Sequence, residues 1–449
     1  MKMRVWLMLC CLAVLGGCKT PPVAEIHLKG RLVDMGSQEV SMEYTGVTGD
    51  FGVSKNVMLR TDKEGYFDTI LPLSEPTYFN ISRNILYLSP GDDLEVYLTP
   101  DTRQATFKGE GCEAQLFLKD RLYPKGGSFL LSGRNVKANF EETKKEVDAL
   151  AASKLAQLDT LRGVTKSFKE NERIRVKANL LNSYLAYALY SKENTKASRE
   201  EQREWYKRFV TLIAPDVNRL MRDIARNEYL DIIDVRDVIV YNLDQPDFMQ
   251  GVEITPEMRE IKEALQVLSK LDSSTDPEVI LTMEKQIKIF QNQEVVTELQ
   301  EKVRNVKSLM TGQPAHDIIM TDVEGNEVLL SSYKGKNIYL DCWATWCGPC
   351  IQESPAFAAL KEAYEGKDIV FIQLSTDNSR KTWLNYLEEK KSTVLQYNSV
   401  DNEGLRVNWQ VKYIPRFILI DKDFNIVQSF APRPSDPEIR KSLDALVVE

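Results

Sequence analysis

The sequence predicts three consecutive structural classes: an antiparallel β-sandwich-like domain at 25–110, an α-helical region at 111–310 and an α/β domain at 311–449. Three observations predict this. At 449 residues the chain is too long for one ordinary core. Its hydrophobic period changes from two to helical near residue 111. Beyond residue 311 short apolar runs alternate with helical segments, the mark of an α/β sheet with parallel pairs.

In the first segment, alternation runs through Ile26-His27-Leu28-Lys29-Gly30-Arg31-Leu32-Val33 and through Asp93-Leu94-Glu95-Val96-Tyr97-Leu98. Turn signals at Thr48-Gly49-Asp50, Asp62-Lys63-Glu64-Gly65 and Ser89-Pro90-Gly91-Asp92 separate such strands. In the second segment the expected buried stripes are Leu181, Leu185, Ala188 and Leu189, then Trp205, Phe209, Leu212 and Ile213, then Met258, Ile261, Leu265 and Leu268. Runs such as Ser198-Arg199-Glu200-Glu201-Gln202-Arg203-Glu204 read as solvated faces. In the third segment, strands are expected at 328–330, 337–340, 369–374 and 417–420, with helices at about 352–365 and 380–390.

Composition narrows the function classes. Hydrophobic residues make up 43% and charged residues 28%, as in a globular chain. The 58 Lys and Arg against 66 Asp and Glu give a net charge of −8, and no basic tract points to nucleic acid. At the N-terminus, Met1-Lys2-Met3-Arg4 is basic and an apolar run leads into Leu15-Gly16-Gly17-Cys18, the pattern of a secretory signal peptide. Its last four residues resemble the bacterial lipobox. The resemblance implies a signal peptide at 1–17, lipidation at Cys18, a linker at 18–24 and attachment to a membrane through that lipid. Lys19 in place of Asp after the cysteine favours the outer over the inner membrane, facing the periplasm. Cys10 and Cys11 fall in the removed segment. The β-rich segment resembles N-terminal domains of Bacteroidetes-type lipoproteins through Gly65-Tyr66-Phe67 and Pro90-Gly91-Asp92.

Most of the chemistry is concentrated in Tyr339-Leu340-Asp341-Cys342-Trp343-Ala344-Thr345-Trp346-Cys347-Gly348-Pro349-Cys350. Structural zinc needs four ligands, usually in two close pairs. Beyond Cys347 and Cys350 the processed chain offers only the isolated Cys112, Cys342, His27 and His316, so no metal is expected. A redox pair fits the local pattern. A strand through Cys342 and a turn at 344–346 would let Cys347 open a helix that runs through Cys350. Two cysteines three apart in a first helical turn face one way, close enough to bridge. The N-terminal one, expected to be exposed, meets unpaired N–H groups and the helix dipole, which favour its thiolate. Cys350, one turn deeper, is shielded. This supplies an attacking and a resolving thiol.

Trp-Cys-Gly-Pro-Cys is the thioredoxin active-site sequence. Gly312-Gln313-Pro314-Ala315, Gly325-Asn326-Glu327-Val328, Tyr333-Lys334-Gly335-Lys336 and Tyr413-Ile414-Pro415-Arg416-Phe417-Ile418-Leu419-Ile420-Asp421 make residues 311–449 similar to the TlpA/ResA-type thioredoxins. The resemblance implies a thioredoxin-like fold, a redox-active disulfide Cys347–Cys350 with Cys347 as nucleophile, and a cis-Pro415 facing it. It implies that the Ile414 backbone pairs with a substrate strand, and that Trp346, Gly348 and Pro349 join it in binding substrate. Asp341 matches the buried acid that exchanges a proton with Cys350, against an ordinary strand-end acid as the plainer reading. Glu353 matches a glutamate near the active site, although acids favour first helical turns anyway. Trp343 and Trp346 are expected to wall the site and shield Cys350, and Pro355 to kink the helix. Two departures stand out. Arg416 replaces the usual Thr after the cis-proline, and Cys342 replaces an aromatic and reads as a small buried hydrophobe. Ala344, where a peroxidase of this fold would carry Thr, argues against peroxidase chemistry.

The functional expectation is a membrane-anchored protein disulfide reductase without a cofactor. It would act on disulfide-bearing exported proteins and be recharged by a membrane-embedded electron donor. A disulfide isomerase, or a scaffold lipoprotein with a redox-sensing domain, are the alternatives.

Overall fold

The structure is a computed structural model that describes residues 24–34, 39–119, 127–191, 198–377, 379–390, 394–399 and 402–448. The signal peptide at 1–17, the lipidation at Cys18 and the linker up to residue 23 lie outside the described residues.

Among the described residues eight strands come first: β1 (Ala24–Leu32), β2 (Glu39–Tyr44), β3 (Val57–Arg60), β4 (Tyr66–Leu73), β5 (Thr77–Ile81), β6 (Asn84–Leu88), β7 (Asp93–Leu98) and β8 (Thr106–Gly109). They form two four-stranded sheets, ordered β4-β1-β7-β8 and β3-β2-β5-β6. Inward residues of both sheets, among them Ile26, Leu28, Met42, Phe79, Leu86, Leu94 and Val96, make one core. This is the expected sandwich, with one correction. Neighbours pair antiparallel except β1 and β7, which run parallel from His27↔Asp93 to Leu32↔Leu98. No hairpin joins β1 to β7, because five strands intervene, so no tight turn dictates their direction.

Among the described residues eight helices follow: α1 (Cys112–Lys119), α2 (Phe140–Thr160), α3 (Lys166–Tyr190), α4 (Arg199–Ile224), α5 (Ile233–Asn242), α6 (Pro256–Leu271), α7 (Pro277–Ile287) and α8 (Gln293–Lys307). Their starts are written in the sequence. Asn139, Thr165, Ser198, Thr255, Asp276 and Asn292 each accept a hydrogen bond from a first-turn amide, and Pro256 and Pro277 occupy first helical positions. Of the expected stripes, Leu181, Phe209, Ile213, Met258, Ile261 and Leu268 are buried, and Leu185, Ala188, Trp205 and Leu265 pack half-buried against the same core; two residues do not fit. Leu189 and Leu212 are exposed, at 82% and 52%. On α3 the inward face passes through Leu181, Tyr184 and Tyr187, and at 100° per residue Leu189 has turned away from it. On α4 the face runs through Phe209, Ile213 and Val217, leaving Leu212 to one side.

The last segment contains β9 (Ile319–Thr321), β10 (Glu327–Leu329), β11 (Asn337–Trp343), α9 (Gly348–Ala363), β12 (Ile369–Ser375), α10 (Arg380–Lys390), β13 (Leu395–Ser399), α11 (Asn402–Val407), β14 (Arg416–Ile420), β15 (Ile426–Gln428) and α12 (Glu438–Val448). The sheet order is β10-β9-β13-β12-β11-β14-β15, with β11 parallel to β12 and antiparallel to β14. All seven residues of β11 are buried. The chain is therefore multidomain, and its C-terminal part has the thioredoxin-like α/β fold.

Buried charge links the first two segments. The Arg236 side chain is fully buried. Its Nε donates to Asp50 Oδ2 at 2.6 Å, Nη1 to the Leu230 carbonyl at 2.6 Å and Nη2 to the Thr45 carbonyl at 3.2 Å. Val47 and Phe51, from the β segment, also pack into the helical core. Arg236→Met leaves one carboxylate and two carbonyls without their donor. We expect a loss of about 3–5 kcal/mol in urea unfolding followed by circular dichroism. A loss below about 1 kcal/mol, the scale of an exposed pair, would show that this seam carries little of the stability.

Candidate active site

The buried strand β11 delivers the chain to a tight turn, in which the Cys347 amide donates to the Ala344 carbonyl at 3.0 Å. Helix α9 then begins at Gly348 with Cys347 as its N-cap. Asp377, itself buried, pins the turn from the end of β12. It accepts from the Thr345 amide at 2.9 Å, the Thr345 hydroxyl at 2.7 Å and the Ser375 hydroxyl at 2.7 Å. Cys347 and Cys350 are joined in a disulfide with Cα atoms 5.3 Å apart, and Cys347 Sγ accepts from the Cys350 amide at 3.2 Å.

Two surroundings differ from expectation. Cys347 is only 5% exposed in the disulfide form, where an exposed sulfur was expected. It shares an apolar cluster with Trp343, Ala344, Cys350 and Trp383, flanked by Ile414. The bond to Cys350 turns its sulfur inward, and Trp383 of α10 supplies cover that comes from far along the chain. Trp346 is 72% exposed and does not shield Cys350. The turn that caps α9 directs it outward, and Trp343 and Trp383 do the covering. Gly348 and Pro349 are also exposed.

Across the cluster the Ile414–Pro415 peptide is cis. Ile414 is half-buried and Tyr413 is 70% exposed. Arg416 opens β14 opposite Cys342. Its Nε donates to the Ser429 carbonyl at 2.6 Å, and its guanidinium lies 3.1 Å from the centre of the Phe430 ring. Burial pushes this guanidinium down to about 10. Cys342 is fully buried, and burial pushes its thiol up to about 12. Cys112 packs beside the sandwich core, and burial raises its thiol too.

Asp341 is 1% exposed. Strand alternation puts it between Tyr339 and Trp343, on the face that α9 covers through Phe357 and Leu360. Its Oδ2 accepts from Gln373 Nε2 of β12 at 2.8 Å, while Oδ1 has no partner among the described residues. Burial pushes this carboxyl up to about 7; the Gln373 hydrogen bond opposes the rise and the charge of Glu353 adds to it. Glu353 stands on α9 and is nearly buried. Its carboxylate accepts from the Ser435 amide at 3.1 Å and the Ser435 hydroxyl at 2.9 Å, with Arg433 Nη1 at 3.9 Å. Pro355 lies within α9, which continues to Ala363.

Sequence reading missed Gln373, Asp377, Trp383 and Ser435. Gln373 did leave a signal, as a lone amide inside the apolar run 369–374, on the strand next to Asp341. Trp383 and Ser435 left none, since their roles depend on where α10 and the loop before α12 fold back.

The raised carboxyl has a thermodynamic consequence. Between about pH 4, where an unfolded Asp titrates, and about pH 7, the folded chain keeps a proton that the unfolded chain has lost. Stability contributed at this site therefore falls as pH rises through that window, by up to about 1.4 kcal/mol per unit, and is level above it. Asp341→Asn removes the slope. The stability difference, wild type minus variant, is expected to decrease from pH 4 to pH 7 in urea unfolding. Parallel pH profiles would mean that Asp341 titrates normally.

Residues 310–446 match the Redoxin family model. A crystallised Bacteroides vulgatus protein assigned to the thiol-disulfide oxidoreductases is 57% identical, over 31% of this chain and 99% of that one, with a TM-score of 0.31. The thioredoxin domain of another Bacteroides vulgatus thiol-disulfide oxidoreductase is 28% identical over 31% of this chain and 99% of its own, with a TM-score of 0.29. The thiol-disulfide oxidoreductase ResA of Bacillus cereus is 29% identical over 124 residues, which are 27% of this chain and 70% of that protein. The C-terminal third of the chain is a Redoxin domain, and the enzyme it forms is a thioredoxin-like thiol–disulfide oxidoreductase.

Proposed function

We propose that the protein reduces disulfides of exported proteins on the periplasmic side of a bacterial membrane, to which a lipid on Cys18 tethers it. The observation that carries this reading is the Cys347–Cys350 pair at the N-terminus of α9, with a buried carboxyl on the covered face of the strand beside it.

The chemistry follows from the positions. In the reduced form the Cys347 thiolate replaces the bridged sulfur at the N-cap, where first-turn amides and the helix dipole favour its negative charge. It attacks one sulfur of the partner's disulfide. An S–S bond forms between Cys347 and the partner, and the partner's other sulfur leaves as a thiolate and takes a proton. Asp341, whose carboxyl titrates near neutrality, accepts the Cys350 proton. The Cys350 thiolate then attacks Cys347 Sγ, closes the disulfide and releases the second partner thiolate. Two electrons pass from the dithiol to the partner, and a membrane-embedded donor returns them with two protons. Exposed Trp346 and Tyr413, beside Gly348, Pro349 and Ile414, offer an apolar rim for an extended segment.

The dipeptide Gly348-Pro349 sets the expected direction. Thioredoxin has the same pair and a couple at about −270 mV, against about −120 mV for strong oxidants of the fold. At roughly 30 mV per tenfold in equilibrium constant, that gap is about five orders of magnitude. Two measurements test the reading. Cys350→Ser should accumulate mixed disulfides with exported proteins that Cys347→Ser does not, and glutathione buffers should place the purified protein's couple near −270 mV. A couple above about −180 mV would replace the reductase with an isomerase or oxidase. Tethering is tested separately. Cys18→Ala should leave unprocessed precursor and abolish fatty-acid labelling, and normal labelling of that variant would remove the anchor from the proposal.

A further inference from the structure

The segment that enters the cis-proline is fastened to the helical region by charge. Asp272 caps the C-terminus of α6, where the helix dipole disfavours a carboxylate, and its side chain is only 9% exposed. Neither helix propensity nor solvation accounts for an acid there. Two ammonium groups do. Lys302 of α8, equally buried, places Nζ 2.5 Å from Asp272 Oδ1, and Lys412 places Nζ 3.2 Å from Oδ2. Lys302 also donates to the side-chain oxygen of Gln410. Gln410 has φ of +52°, a left-handed conformation that a residue with a side chain adopts only when its surroundings hold it. One residue earlier, Trp409 Nε1 donates to the His316 carbonyl at 3.0 Å.

Residues 409–412 are thus held at three side chains, and Arg416 is held in β14 by the Ser429 carbonyl. Between these anchors stand Tyr413, Ile414 and cis-Pro415. The Lys412 ammonium that Asp272 engages lies 5.7 Å from the centre of the exposed Tyr413 ring, within reach of a cation–π contact.

We propose that Asp272 and Lys302 of the helical region are positioning residues for substrate binding, which hold the segment Gln410–Ile414 in the geometry a substrate strand meets. The inference rests on the reading of Ile414 as a substrate-pairing residue. It gives part of the helical region a task in the enzyme: the recognition loop belongs to the Redoxin domain, and its bracing comes from α6 and α8.

The test uses the full chain with Asp272→Asn, Lys412→Met and a control, Lys307→Met, which breaks the solvent-accessible Lys307–Glu284 pair between α8 and α7. Hydrogen exchange is read at the amides of residues 411–414 and 416, and turnover is read with insulin as the disulfide substrate and dithiothreitol as donor. We expect about tenfold faster exchange in this segment for both test variants and none for the control. KM for insulin should rise about three- to tenfold with kcat within about twofold. Should Asp272→Asn fail to fold because Lys302 is left buried without its partner, Lys412→Met, half exposed, carries the same test. Exchange unchanged in the folded test variants overturns the proposal, as does a fall in kcat at constant KM. A wild-type chain that cannot reduce insulin would instead remove the reductase reading, and the exchange measurement would then decide the bracing alone.

Discussion

Burial of β11 on both faces is the constraint on which the active site depends. Ile338, Leu340 and Cys342 face one core cluster, and Tyr339 and Trp343 face the side covered by α9. A strand held between β12 and β14 cannot slip by one residue without sending its apolar set to the wrong layer. Its end is therefore fixed, and so is the turn that Asp377 pins. Cys347 arrives at the N-cap of α9 because the strand, the turn and the helix leave it no other place. The same burial determines the chemistry of Asp341. A carboxyl with one amide partner and, among the described residues, no cation in contact is costly to ionise, so it keeps its proton to an unusually high pH.

Much of this was legible in the sequence, for identifiable reasons. Period-two runs, N-cap residues and proline at first helical positions are local signals, and they mark most element starts in the first two segments. The cysteine pair, Asp341, Glu353 and Ile414-Pro415 were found through a motif whose spacing is tied to one strand–turn–helix geometry. What escaped is what folding brings from a distance. Trp383 covers the disulfide from α10, Gln373 reaches Asp341 from a neighbouring strand, and Ser435 holds Glu353 from the loop before α12. Trp346 and Trp343 show the limit of spacing alone. They are three residues apart with the same side chain, yet one is a core residue and the other an exposed one, because the chain changes from strand to turn between them. Leu189 and Leu212 fail similarly, since a helical stripe read without its partners can be turned by a residue.

The seams between the three segments share a chemical device. Arg236 pairs with Asp50 across the first seam; at the second, Asp272, buried beside Lys302 in the helical region, takes the Lys412 ammonium of the Redoxin domain, and Lys302 donates to Gln410. Such pairs add little net stability compared with hydrophobic substitutes, but one partner without the other is strongly penalised. They therefore favour a single registry between the segments they join. At the first seam that registry seats Val47 and Phe51 in the helical core. At the second it reaches the residues immediately before the cis-proline, where the angle of a loop matters to whatever binds it.

The two acids of the Redoxin domain divide along the same logic. Glu353 is served by the Ser435 amide and hydroxyl and has Arg433 nearby, whereas among the described residues Asp341 has Gln373 alone. The charge of Glu353 in turn makes ionisation of Asp341 harder. In the proposed reaction this arrangement makes the Asp341 carboxyl titrate near neutral pH, so that its carboxylate form can take a proton there, while Glu353 anchors α9 to the loop at 433–435. The proton acceptor is then set by burial between β11 and α9, the attacking thiol by the helix N-terminus, and the substrate loop by a seam with α6 and α8. The first two share β11 and α9, whereas the seam lies apart from them, so a change at Asp272 or Lys302 should alter substrate binding and leave the thiol and the acid in place.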